Sequence, residues 1–98
     1  MTTKTKTRKY DVANHLRTLE EMALYLNACI EESDGDATFI VGALGSIARA
    51  QGMARVARSA GLSRESLFKA LSGERNPDFA TVLNVSRALV LRFHAAAA

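Results

Sequence analysis

Cysteine, proline, histidine and long apolar runs are all scarce in this 98-residue chain. Its one cysteine, Cys29, excludes an internal disulfide and falls where a helical core position is expected, which fits a reducing compartment such as the cytoplasm. No stretch approaches the roughly 18 consecutive apolar residues of a membrane span. The opening MTTKTKTRKY carries charge with no apolar segment behind it, so neither export nor membrane insertion is expected. His15 and His94 are far apart, and neither stands at helical spacing from another ligand type, so no metal site is expected. A nucleophile motif, a glycine-rich phosphate loop and a ligand cluster are all missing. The chain is therefore read as a non-enzyme without a cofactor.

Glycine and proline are few, apolar residues make up 48% of the chain, and the alanine, leucine, glutamate and arginine content favours helix. A chain this short suits one small domain with a single core. Thr18-Leu-Glu-Glu21 reads as a capping box opening a helix over about 19–33, with Met22, Tyr25, Leu26, Cys29 and Ile30 on its apolar stripe. The same periodicity is compatible with a short helical piece from Tyr10 to Leu16. Asp36 caps a helix to about Gln51, closed by Gly52, with Ile40, Ala43, Leu44, Ile47 and Ala48 facing inward. Residues 53–60 form a short helix ended by Gly61, Ser63 caps another over 64–72, and Asp78 caps a last one. In that last helix Phe79, Val82, Leu83, Ser86, Leu89 and Val90 form the stripe. Val85 and Leu91 lie off it, so Val85, Leu89, Leu91 and Phe93 are the candidate dimer interface. No strand pattern emerges, and the fold class is all-α.

Charge is partitioned. Residues 1–9 carry Lys4, Lys6, Arg8 and Lys9 with no acid, and are read as a disordered basic tail. Residues 10–36 carry Asp11, Glu20, Glu21, Glu31, Glu32, Asp34 and Asp36 against Arg17, a net −6. Residues 37–98 carry eight basic side chains, Arg49, Arg55, Arg58, Arg64, Lys69, Arg75, Arg87 and Arg92, against Glu65, Glu74 and Asp78, a net +5. The basic part suits a polyanion and the acidic part would be repelled from one, so the two face different partners, unless both are ordinary solvated surface.

MARVARSAGLSRESLFKALSG, residues 53–73, has the spacing of a helix-turn-helix. Ala57 allows close helix approach, Gly61 allows the sharp turn, and Val56, Leu62, Leu67 and Leu71 pin the second helix across the first. The outer face of that helix is left with Ser63, Arg64, Glu65, Ser66 and Lys69, with Phe68 at its border; these five polar residues are the candidate base contacts in a DNA major groove. Glu65 either accepts from a cytosine or pairs with Lys69 at i,i+4. Arg55, Arg58, Arg75 and Asn76 are the candidate phosphate contacts. The competing reading is an αα-hairpin with a solvated polar face.

GALGSIARAQGMARVARSAGLSRESLFKALSGERNPDFATVLNVSRALVLRF, with YDVANHLRTLEEMALYLNACIEESDGDATFIVGAL before and into it, resembles the addiction-module antidote family, a branch of the Xre/Cro-like repressors. The likeness covers about residues 10–93 and is most specific from Ala48 to Ala88. It implies a five-helix Xre/Cro (lambda-repressor-like) helix-turn-helix domain over 10–98, with an acidic N-terminal helical extension (10–36) before an Xre-like core (37–93). It further implies an antitoxin of a type II module: a homodimer that neutralises a RelE/HigB-like messenger-RNA-cleaving toxin and represses its own operon by binding a double-stranded DNA operator. The acidic region suits a basic ribonuclease, so Tyr10, Asp11, Glu20, Glu21, Glu31 and Glu32 are the candidate toxin contacts. The alternative is a phage-type or regulatory repressor with no toxin partner. Two positions depart from the family pattern: Met53 stands where glutamine is usual, and Val90 where glycine is usual, which predicts a last helix that runs on past Val90.

Overall fold

A computed structural model describes residues 16–97, Arg75 excepted. The candidate short helix near Tyr10 and the basic tail lie outside the described residues. Five helices follow one another: α1 (Leu19–Ser33), α2 (Ala37–Gln51), α3 (Met53–Ala60), α4 (Arg64–Ala70) and α5 (Phe79–Ala88), with no strand among the described residues. No helix among them is long and apolar enough to cross a membrane.

Each start has a local cause. The Thr18 hydroxyl accepts from the Glu21 amide at 3.1 Å while Glu21 Oε1 accepts from the Thr18 and Arg17 amides, completing the capping box of α1. Asp36 accepts from the Thr38 amide to open α2, and Asp78 accepts from the Thr81 amide at 2.8 Å to open α5. The bonds to Thr81 favour the ionised form of Asp78 and hold its carboxyl below the ordinary aspartate range. Gly52 ends α2 and begins α3 with no side-chain cap.

The helices pack around α3, which lies against α2, α4 and α5, while α1 lies along α2. Leu44, Ile47, Val56, Leu67, Val85 and Leu89 are the largest side chains wholly removed from solvent, each contributing about 1.5–3 kcal/mol by burial. At Gly45 an added Cβ would stand 3.3 Å from the Leu71 carbonyl oxygen, so glycine lets α2 pass close under the end of α4. Two side-chain bonds tie distant elements together. Gln51 Nε2 donates to the Leu89 carbonyl at 2.9 Å, and Asn84 Nδ2 donates to the Ala60 carbonyl at 2.7 Å, linking the end of α3 to α5. Every buried side-chain nitrogen or oxygen among the described residues has a hydrogen-bond partner.

The last helix corrects two expectations. It does not run on past Val90 but ends at Ala88: the Val90 amide donates to the Arg87 carbonyl and the Leu91 amide to the Ser86 carbonyl, both at 3.0 Å, a Schellman motif with Val90 at φ +62° in the position glycine usually fills. The buried Ser86 hydroxyl adds a bond to the Leu91 carbonyl at 2.8 Å and holds the turn closed. The apolar stripe is also rotated from the expected one. Val85, Ser86 and Leu89 face the core, whereas Phe79, Leu83 and Val90 are exposed.

A β-branched residue in the left-handed region is strained by about 1–3 kcal/mol. Val90 is 63% exposed and so recovers little by packing. Val90→Gly is therefore expected to stabilise the fold by about 1 kcal/mol, after the greater flexibility of glycine in the unfolded chain offsets part of the relief. A higher urea midpoint at unchanged slope is the measurement that checks it.

Candidate nucleic-acid interface

The turn between α3 and α4 is built by Gly61, which at φ +72° ends α3 in a second Schellman motif: its amide donates to the Arg58 carbonyl and the Leu62 amide to the Ala57 carbonyl at 2.9 Å. Ser63 then caps α4, its hydroxyl oxygen accepting from the Ser66 amide at 2.9 Å while it donates to the Ser66 hydroxyl at the same distance. Leu67 and Leu71 turn inward to the core and leave the rest of the helix outside.

That outer side carries Arg64, Glu65, Ser66, Phe68 and Lys69, all exposed, and it forms a ridge between two concavities. Arg64, Glu65 and Phe68 share one with Arg49 and Met53. Ser66 and Lys69 share the other with Asn76, Pro77, Asp78 and Thr81. The fold thus brings four of the five candidate base contacts onto one surface with Asn76. The fifth, Ser63, is exposed beside them, but its hydroxyl is committed to the cap. Glu65 Oε2 and Lys69 Nζ stand 3.9 Å apart on α4, an i,i+4 pair of the kind worth only about 0.3–0.5 kcal/mol when exposed, so either partner is free to exchange it for another. No hydrogen bond or ion pair among the described residues holds Arg64.

The candidate phosphate contacts divide. Arg58 is exposed on α3, lining neither concavity. Arg55 is half-buried and donates to Gln51 Oε1, which engages its guanidinium at the junction where Gln51 also reaches the Leu89 carbonyl. The four-residue spacing across the α2–α3 break puts these two side chains on one side and makes the bond. Arg75 lies outside the described residues. Arg49, at the end of α2, joins the site without having been singled out by any motif; its only signal in sequence is membership of the basic segment 37–98. Met53 is half-buried and packs against the core rather than offering a polar group.

A family model described as "Probable addiction module antidote protein" matches residues 6–97. The chain belongs to the addiction-module antidote family. An uncharacterized protein of Haemophilus influenzae is 52% identical to it over 86 residues, covering 88% of this chain and 87% of the relative. No solved structure matches it. Membership of the antidote family suggests an antitoxin role and, in general terms, a toxin partner, and such proteins are typically not enzymes.

Of the candidate toxin contacts, Glu20, Glu31 and Glu32 of this antidote-family chain are exposed on α1, whose last turn holds no basic residue. Glu21 is half-buried and engaged in the capping box, so it is a structural acid before it is a contact. Tyr10 and Asp11 lie outside the described residues. The candidate dimer contacts are corrected as well. Val85 and Leu89 have no exposed surface and Leu91 only 7%, because they fill this chain's own core; of that set Phe93 alone is open to solvent.

Proposed function

We propose that this chain is an antitoxin of a type II toxin–antitoxin module with two working surfaces. One is α4, an Xre/Cro-like recognition helix whose exposed Arg64, Glu65, Ser66 and Lys69 enter the major groove of an operator and repress the chain's own operon. Arg49, Arg58 and Asn76, with Arg75, hold the phosphates that set its register. The other is the acidic face of α1, which holds a basic RelE/HigB-like messenger-RNA-cleaving toxin through Glu20, Glu31 and Glu32. The observation that carries the reading is the ridge of α4: a helix anchored by the buried Leu67 presents Arg64, Glu65, Ser66 and Lys69, with Phe68 among them, to solvent. A second copy pairs through the exposed Leu83 of α5 and Phe93 beyond it, which line one concavity, giving the two-fold symmetry that an operator with two half-sites requires.

Co-expression with the product of the adjacent gene tests the antitoxin half: the two proteins are expected to co-purify and growth to be restored. Failure of both removes the toxin from the account. Reversing Glu20, Glu31 and Glu32 together to lysine is expected to weaken toxin capture by at least about tenfold while leaving operator affinity within about twofold, since charge at a rim governs association more than folding. Titration calorimetry with the toxin and gel shifts with the operator separate these outcomes. Unchanged capture would mean that the acids of α1 only face water.

A further inference from the structure

The outer side of α4 contains one residue that neither hydration nor ion pairing explains. Phe68 is 54% exposed, on a helix whose other outward side chains are charged or polar. It is not among the partly buried apolar residues that pack on the core. The helix commits Leu67 to the interior, and the next side chain, rotated by about 100°, must leave it. Phe68 emerges into the concavity that Arg64, Glu65, Arg49 and Met53 line. Arg64 and Phe68 are four residues apart and so stand on one ridge of the helix.

We infer that Phe68 is a specificity-determining residue that reads the 5-methyl group of a thymine in the operator. The inference rests on the DNA-binding reading of α4. The major groove offers hydrogen-bonding edges at every base pair but one apolar feature, the thymine methyl, and a phenyl ring is among the side chains that meet it. Four residues of helix advance about 6 Å, and stacked bases rise about 3.4 Å, so the ring meets a base pair one or two steps from the one Arg64 takes. Arg64 bonding a guanine and Phe68 covering a thymine methyl beside it make a two-part reading head from one face of α4. Neither side chain has to leave the concavity they share.

The test uses the full-length chain and a duplex enriched from a random-sequence library by the wild-type protein. Each thymine of that duplex is replaced singly by deoxyuridine, which lacks only the methyl. Wild type is expected to lose about threefold to tenfold in affinity at one thymine, the scale of one buried methyl. Phe68→Ala should lose a similar factor on the thymine duplex and bind the thymine and uracil forms equally at that position, with its guanine preference intact. Phe68→Leu, which keeps apolar surface, should retain part of the discrimination, and circular dichroism of both variants should match wild type. Discrimination by Phe68→Ala equal to that of wild type, or no uracil that costs wild type more than about twofold, overturns the inference while the DNA-binding reading stands. A Phe68→Ala variant that keeps every uracil penalty but loses toxin capture assigns the ring to the protein partner instead. If the library yields no enriched sequence, the reading of α4 itself falls, and this inference with it.

Discussion

Leu67→Ala is expected to destabilise the fold by about 2–5 kcal/mol, the range for truncating a wholly buried leucine. Leu67 has no exposed surface and is the one buried residue within α4. Truncation removes its transfer energy and leaves a cavity beneath a seven-residue helix. For a chain of this size the melting temperature should fall by more than about 10 °C. Because the same helix carries Arg64 and Lys69 on its other side, DNA affinity should fall with stability. Leu67→Met, which conserves volume, should cost less than about 1.5 kcal/mol and keep most binding. Urea denaturation of the three proteins, read beside their gel shifts, checks this. A folded Leu67→Ala protein of near-native midpoint would show that α4 is held by something other than its inward leucine.

Arg64→Ala is expected to cost about 1–3 kcal/mol on the best operator and to relax preference at one base pair, because alanine cannot make the bidentate guanidinium–guanine bond. Arg58→Ala, removing an exposed cation on α3, should instead weaken all sequences alike and reduce the salt slope by about one for each phosphate that Arg58 neutralises. Both arginines are exposed and alike in charge, so the comparison isolates where each one points. Equal losses with no change in base preference would place Arg64 on the backbone and leave the reading of bases to other side chains.

How much of this is legible in the sequence depends on the range of the interaction. Thr18, Asp36, Ser63 and Asp78 all cap helices as their sequence positions indicate, because an oxygen two or three residues ahead of an amide is a local device. The turn at Gly61 and the outward residues of α4 follow for the same reason. The rotation of α5 does not. It is fixed by Asn84 reaching the Ala60 carbonyl, 24 residues away in sequence, and by Val85 filling space against other helices, neither of which leaves a periodic mark in a ten-residue helix. Charge alone points Arg55 toward DNA, but its bond to Gln51 and the bond of Gln51 to Leu89 depend on how three elements meet. Val90 is legible only as a residue out of place: the sequence pattern predicts a longer helix, whereas the Ser86 hydroxyl and the amides of Val90 and Leu91 together enforce the left-handed turn despite its strain.

The shortness of α4 has a further consequence. Two turns of helix have no autonomous stability in water, where roughly 12–15 residues are marginal even for good helix formers. An excised peptide spanning residues 52–73 should therefore be a random coil, and the proposed groove-reading surface should exist only while the whole bundle around α3 is intact. On the proposed function, repression in the cell would then vanish in proportion to the unfolded fraction, with no half-competent fragment left behind on the promoter.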